Sequence, residues 1–124
     1  MERKQMPNGA KIASTIHWHI EWSAATFPKG TAKGALLHAK REIEEVIKEL
    51  DNTPEFGWDL NKNIATEYAD ILGCVFDSIN RAGLTIDAVF VAYYAKLQIN
   101  KDRKWRDNGD GSYSHIKDGR PEGV

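Results

Sequence analysis

Cysteine is nearly absent, with Cys74 the only one in 124 residues. A lone thiol closes no disulfide within the chain, so a stable fold must rest on a buried core, and the composition suits a reducing compartment. Long hydrophobic runs are missing too. The apolar stretches are only a few residues long, far short of the roughly 20 that a membrane-spanning helix needs. Met1-Glu-Arg-Lys-Gln is not followed by the apolar core of a signal peptide, so the expected location is the cytoplasm, with no membrane partner. Charge of one sign is not in excess. Lys plus Arg number 17 and Asp plus Glu 18, for a net charge of -1, which excludes a strongly basic nucleic-acid clamp and predicts no stable nucleic-acid binding. What remains is the size of one domain, 1–124, able to bury a core without metal or disulfide staples.

Only four prolines punctuate the chain. Breaks fall at Pro7-Asn8-Gly9, at Phe27-Pro28-Lys29-Gly30, from Asp51 through Pro54 to Gly57, and at Ala82-Gly83. Between them the apolar period is helical: Ile12, Ile16 and Ile20; then Leu36, Ile43, Val46, Ile47 and Leu50. A third segment carries Ile64, Tyr68, Ile71, Leu72, Val75 and Ile79, and a fourth Ile86, Val89, Phe90, Tyr93 and Leu97. Thr31 and Thr85 are placed as N-caps, with Asp87 in a first turn, and Gly83 as a residue just past a helix end. No segment alternates like a strand. The pattern predicts an all-α four-helix bundle. From about Arg106 it dissolves into Asp107-Asn-Gly-Asp-Gly-Ser, turn chemistry that predicts an irregular or loosely packed tail over 106–124.

The acidic residues are not scattered. At about 100° per residue, Glu42, Glu45 and Glu49 share the arc beside the second helix's apolar stripe, with His38 among them, while Glu44 lies on the far side near Lys48. On the third helix Glu67, Asp70 and Asp77 cluster on the narrow face the apolar residues leave, with Cys74 between them. Two adjacent helices, each with carboxylates at i and i+3, can bring four oxygen donors together, and such a set stays ionised only around a cation. Hard oxygen ligands favour Mg²⁺ or Mn²⁺; the alternative is ordinary solvated surface acid. A di-iron bundle would want Glu-x-x-His on two helices, and no histidine here has an acid three residues earlier. Lys96, Asn100 and Arg103 recur at i, i+4 and i+7, a stripe suited to a polyphosphate or, residue by residue, to complementing the helix dipole.

The ordered set Glu42-x-x-Glu45, Glu67-x-x-Asp70, Lys96-x-x-x-Asn100-x-x-Arg103 resembles the MazG-like all-α nucleoside triphosphate pyrophosphohydrolases. His38-Ala-Lys-Arg-Glu-Ile-Glu-Glu-Val, Asp77-Ser-Ile-Asn-Arg-Ala-Gly, Lys96-Leu-Gln-Ile-Asn-Lys-Asp-Arg-Lys-Trp105 and Ser114-His-Ile-Lys-Asp are similar to the short, phage-associated branch of that superfamily, over roughly Trp22 to Asp118. The resemblance implies the family's four-helix fold and hydrolysis of a (deoxy)nucleoside triphosphate, in the direction of dGTP or GTP, to monophosphate and pyrophosphate in nucleotide-pool control. It implies Glu42, Glu45, Glu67 and Asp70 as the catalytic and metal-holding residues, with Mg²⁺ as cofactor and Mn²⁺ as substitute, and Lys96, Asn100 and Arg103 on the phosphates. Asp77 fits an outer ligand or a sugar contact. A homodimer or homotetramer follows from the same resemblance, as does the host cytoplasm for a phage-encoded chain.

Other residues divide between two roles. Trp18 and Trp22, at i and i+4, can stack a base or pack the core; Lys33, with Lys29 near the start of the second helix, can meet phosphate or solvent. His17 and His19 lie on different faces. Gly30-Thr-Ala-Lys-Gly34 is not a P-loop, and Asp107-Asn-Gly-Asp-Gly lacks an EF-hand's ligand order. Cys74 has no histidine placed to activate it. The competing function class is a non-enzymatic helical interaction or regulatory module of phage type.

Overall fold

The computed structural model describes residues 9–52, 61–117 and 120–121. Pro7-Asn8 and the connection through Pro54 and Gly57 lie outside the described residues. Among the described residues there are four helices, as the periodicity predicts: α1 (Gly9–Thr26), α2 (Ala32–Asp51), α3 (Asn61–Arg81) and α4 (Ile86–Lys101). The punctuation behaves as its chemistry requires. Thr31 is extended and its hydroxyl accepts from the Gly34 amide at 2.9 Å, closing the first turn of α2. At the end of α3, Gly83 has φ +84° while the Leu84 amide donates to the Ile79 carbonyl and the Gly83 amide to that of Asn80, a Schellman closure.

The chain falls into two compact units, one up to Ile86 and one from Asp87 onward. In the first, α3 is the central element, packed extensively on α2 and also on α1. Val46, Ala39 and Ile86 are its buried apolar residues among those described, and Ser23 and Ser78 are buried polar ones. Each serine is satisfied across helices. Ser78 donates to the Ala32 carbonyl at 2.8 Å, and Ser23, 2% exposed, donates to Asp77 Oδ1 at 2.8 Å.

The second unit corrects the expectation of an irregular tail. Trp105–Asp107 (β1), Tyr113–Lys117 (β2) and Arg120–Pro121 (β3) form an antiparallel sheet in that order, with Trp105 opposite His115 and Asp107 opposite Tyr113. The turn chemistry is what closes it. Asp107 Oδ1 accepts from the Gly109 amide and Asp110 Oδ1 from the Ser112 amide, and Gly109 and Gly111 take φ of +86° and +91°. The strands are too short for alternation to show in sequence.

Candidate active site

The acid face of α2 meets that of α3. Glu67 is hydrogen-bonded to Glu49, and this bond, then burial, then the charges of Glu49, Glu45 and Glu42, push its carboxyl above the ordinary carboxylate range. Two carboxylates share a hydrogen bond only if one holds a proton. The other Glu67 oxygen, Oε1, is shut off from solvent without a hydrogen-bond partner. A buried acceptor left unpaired among three further carboxylates fits a cation, and oxygen-only donors fit Mg²⁺ or Mn²⁺. Among the described residues no three acidic, histidine or cysteine side chains converge as ready-made ligands; like charges with nothing between them keep apart.

Glu42 also acts on the Cys74 thiol, which burial chiefly pushes up, followed by the charges of Glu42, Asp70 and Asp77. Glu42 therefore stands where the acid face reaches Cys74, and it is 3.5 Å from His38 one turn earlier. A half-buried thiol held protonated in this way is no nucleophile. Cys74, Asp70, Asp77 and His38 line an open cavity of about 810 Å³ bordered by α1, α2 and α3. Its walls are mostly apolar or aromatic, and Trp22, Phe27 and Leu72 contribute to them. Trp22 does not pack a core: it is 47% exposed and holds Phe27 edge-on at 5.5 Å between ring centroids.

The start of α2 enters the cavity through Gly30, Thr31 and Gly34; Lys33 is exposed and not among the lining residues. Asp77 is tied down more firmly than an outer ligand needs. Arg81 Nε donates to both Asp77 oxygens at 2.9 and 3.0 Å, and Arg81 Nη2 donates to the Ser23 carbonyl and hydroxyl at 3.1 and 3.2 Å. The guanidinium lies close against Gly30, where a Cβ would come within 2.6 Å of it. Asp77 was expected at the site from sequence; Glu49 and Asp77's partners Ser23 and Arg81 were not. The arc position of Glu49 was a signal for it; the network has none in the spacing, because Ser23 and Asp77 meet only once α1 docks on α3.

In the second unit, Asn100 and Arg103 come together and Lys96 stands exposed one turn earlier. Arg103 lies just past the end of α4, so the expected helical stripe holds only through Asn100. The turn continues with the Arg103 amide donating to the Asn100 carbonyl at 3.2 Å, which keeps the two side chains on one side.

The four helices have the all-α fold of the MazG-like pyrophosphohydrolases: the cyanophage S-2L MazG-like pyrophosphohydrolase bound to dGDP and three catalytic Mn²⁺ ions per active site superposes with a TM-score of 0.65 at 24% identity, covering 90% of this chain and 100% of that one. The family model described as dATP/dGTP pyrophosphohydrolase matches residues 15–122, and the chain belongs to that family. A dATP/dGTP diphosphohydrolase of Salmonella phage PMBT28 is 35% identical over 104 residues, 83% of this chain. The chain spans about a third (31%) of that relative's length.

The raised Glu67 carboxyl gives a testable linkage. Its contribution is favourable while the proton is held, and stability is lost as pH rises through the elevated value and the carboxylates repel. A cation relieves that repulsion and competes with the proton. Mg²⁺ or Mn²⁺ is therefore expected to raise the melting temperature by several degrees at neutral pH and by much less at a pH where Glu67 is protonated. Equal shifts at both pH values would place the cation elsewhere.

Proposed function

We propose that this protein is a divalent-metal-dependent pyrophosphohydrolase that converts a purine deoxynucleoside triphosphate, dATP or dGTP, to the monophosphate and pyrophosphate. The observation that carries this is the acid face of α2 and α3, with the unpaired Glu67 oxygen inside it, beside a cavity large enough to admit a nucleotide. The family description and the phage relative support the purine deoxynucleotide; GTP is the ribonucleotide to test beside them. Glu42, Glu45, Glu67 and Asp70 would hold Mg²⁺ or Mn²⁺, and Glu49, through its bond to Glu67, orients that donor. A cation bound there supplies charge to polarise the α-phosphate and makes bound water more acidic. Trp22 presents a ring face for the base, and Asp77, fixed by Arg81 and Ser23, offers a remaining lone pair to a sugar hydroxyl. Lys33, Lys96, Asn100 and Arg103 supply donors for the phosphates.

A homodimer or homotetramer belongs to the same proposal. Leu36, Leu37, Ile43, Ile47 and Leu50 of α2 and Leu72 of α3 are all exposed while few apolar residues are buried among those described, a pattern that a second copy would relieve. The host cytoplasm is the compartment proposed for a phage nucleotide enzyme. No helix among the described residues is long and apolar enough to cross a membrane.

The bond cleaved is the deciding experiment. No P-loop is present to cradle the outer phosphates for chemistry at the γ-position, so attack is expected at the α-phosphorus. Hydrolysis of dATP and dGTP in ¹⁸O-water should place the label in the monophosphate and none in pyrophosphate. Label in orthophosphate, with a diphosphate as co-product, would overturn the pyrophosphohydrolase assignment. A panel of the eight common nucleoside triphosphates tests the base.

A further inference from the structure

The sheet that follows α4 is knitted to the residues proposed to meet phosphate. Arg103 Nη1 is 3.1 Å from Asn100 Oδ1 and 3.2 Å from His115 Nδ1, on β2. A guanidinium only donates, so the His115 nitrogen accepts, which fixes the tautomer with its proton on Nε2. His115 is itself held in place. Its ring meets Trp105 edge-on at 5.8 Å, directly opposite in the β1–β2 register, and Trp105 Nε1 donates to the Asn100 carbonyl at 3.1 Å. The Ile116 amide donates to the Lys104 carbonyl at 2.8 Å, joining β2 to the segment between α4 and β1. Arg103 is half-buried, and both bonds fall on one terminal nitrogen, leaving Nη2 and Nε without a bond among the described residues.

We propose that His115 is a positioning residue for Arg103: β2 carries an imidazole whose Nδ1 holds one edge of the guanidinium so that the other edge is presented to the outer phosphates. This rests on the proposed role of Arg103 in phosphate contact. A flexible arginine loses rotamer freedom when it grips an anion. Fixing it beforehand on Asn100 and His115 moves that loss from binding to folding, so the gain is in affinity.

The test is a double-mutant cycle on the full chain with dGTP and Mn²⁺, read as KM and kcat with melting temperature alongside. His115→Ala should raise KM by about tenfold, the scale of one hydrogen bond to a charged group, with kcat within about twofold. His115→Asn, whose amide oxygen can stand where Nδ1 stood, should restore most of the KM. In an Arg103→Ala background, His115→Ala should add no further loss. If Arg103→Ala leaves KM unchanged, the phosphate role of Arg103 fails, and this proposal with it. If Arg103→Ala raises KM but the two effects add independently, or if a folded His115→Asn chain keeps the raised KM, then His115 only braces the sheet and the positioning role is overturned.

Discussion

Alanine at Glu45 or at Asp70 is expected to lower triphosphate hydrolysis by at least about 100-fold, the upper scale seen even for groups that only support metal ligands, while the helical circular dichroism stays intact. Both residues are exposed rather than buried in the core, so neither truncation opens a cavity. Glu44, exposed on the opposite side of α2, should be replaceable by alanine with wild-type activity. Glu67→Gln sharpens the contrast. At a pH above the raised value of Glu67 it removes one charge from a crowded face, so there the metal-free protein should melt higher while activity is lost, a trade of function against stability. Equal losses from Glu44→Ala and Glu45→Ala would refute the assignment of faces, and a Glu67→Gln chain that melts lower without metal would refute the electrostatic account of Glu67.

The largest expected loss of stability is at Arg81. Its side chain is 11% exposed and pairs with Asp77, 16% exposed, at 2.9 Å. Removing one partner of a largely buried pair strands the other, which costs about 3 kcal/mol. Arg81→Ala also releases the Ser23 carbonyl and hydroxyl on α1 and the contact with Gly30, so the docking of α1 on α3 weakens with it. Arg81→Lys should recover little, because one ammonium cannot reach Asp77 and Ser23 in the same fork geometry. The double change Asp77→Ala with Arg81→Ala should cost less than the sum of the single changes, since no charge is then stranded. Urea unfolding midpoints measure all three. A loss near zero for Arg81→Ala would class the pair with ordinary exposed ion pairs.

The four helices, and the ends marked by Thr31 and Gly83, could be determined from sequence alone because their causes are local. A 3.6-residue apolar period, a threonine hydroxyl three residues from the amide it caps and a glycine free to take positive φ all act within one turn. The placing of Glu42 and Glu45 beside the apolar stripe, and of Glu44 away from it, follows from the same geometry of a single helix. Pairing across elements was decided by tertiary structure. Asp107 to Ser112 reads as loose turn residues until β1 and β2 align, since a register between strands is not a property of either strand. Which acid of the α2 arc meets Glu67 depends on how α3 lies against α2; hence Glu49 joins the cluster by its hydrogen bond. Trp22 could stack or pack by its spacing, and only the docking of α1 left its ring on a cavity wall. Ser23, 54 residues before Asp77, is an ordinary helical serine in sequence; burial beside a carboxylate, where an unmade hydrogen bond is costly, turns it into part of the site's frame.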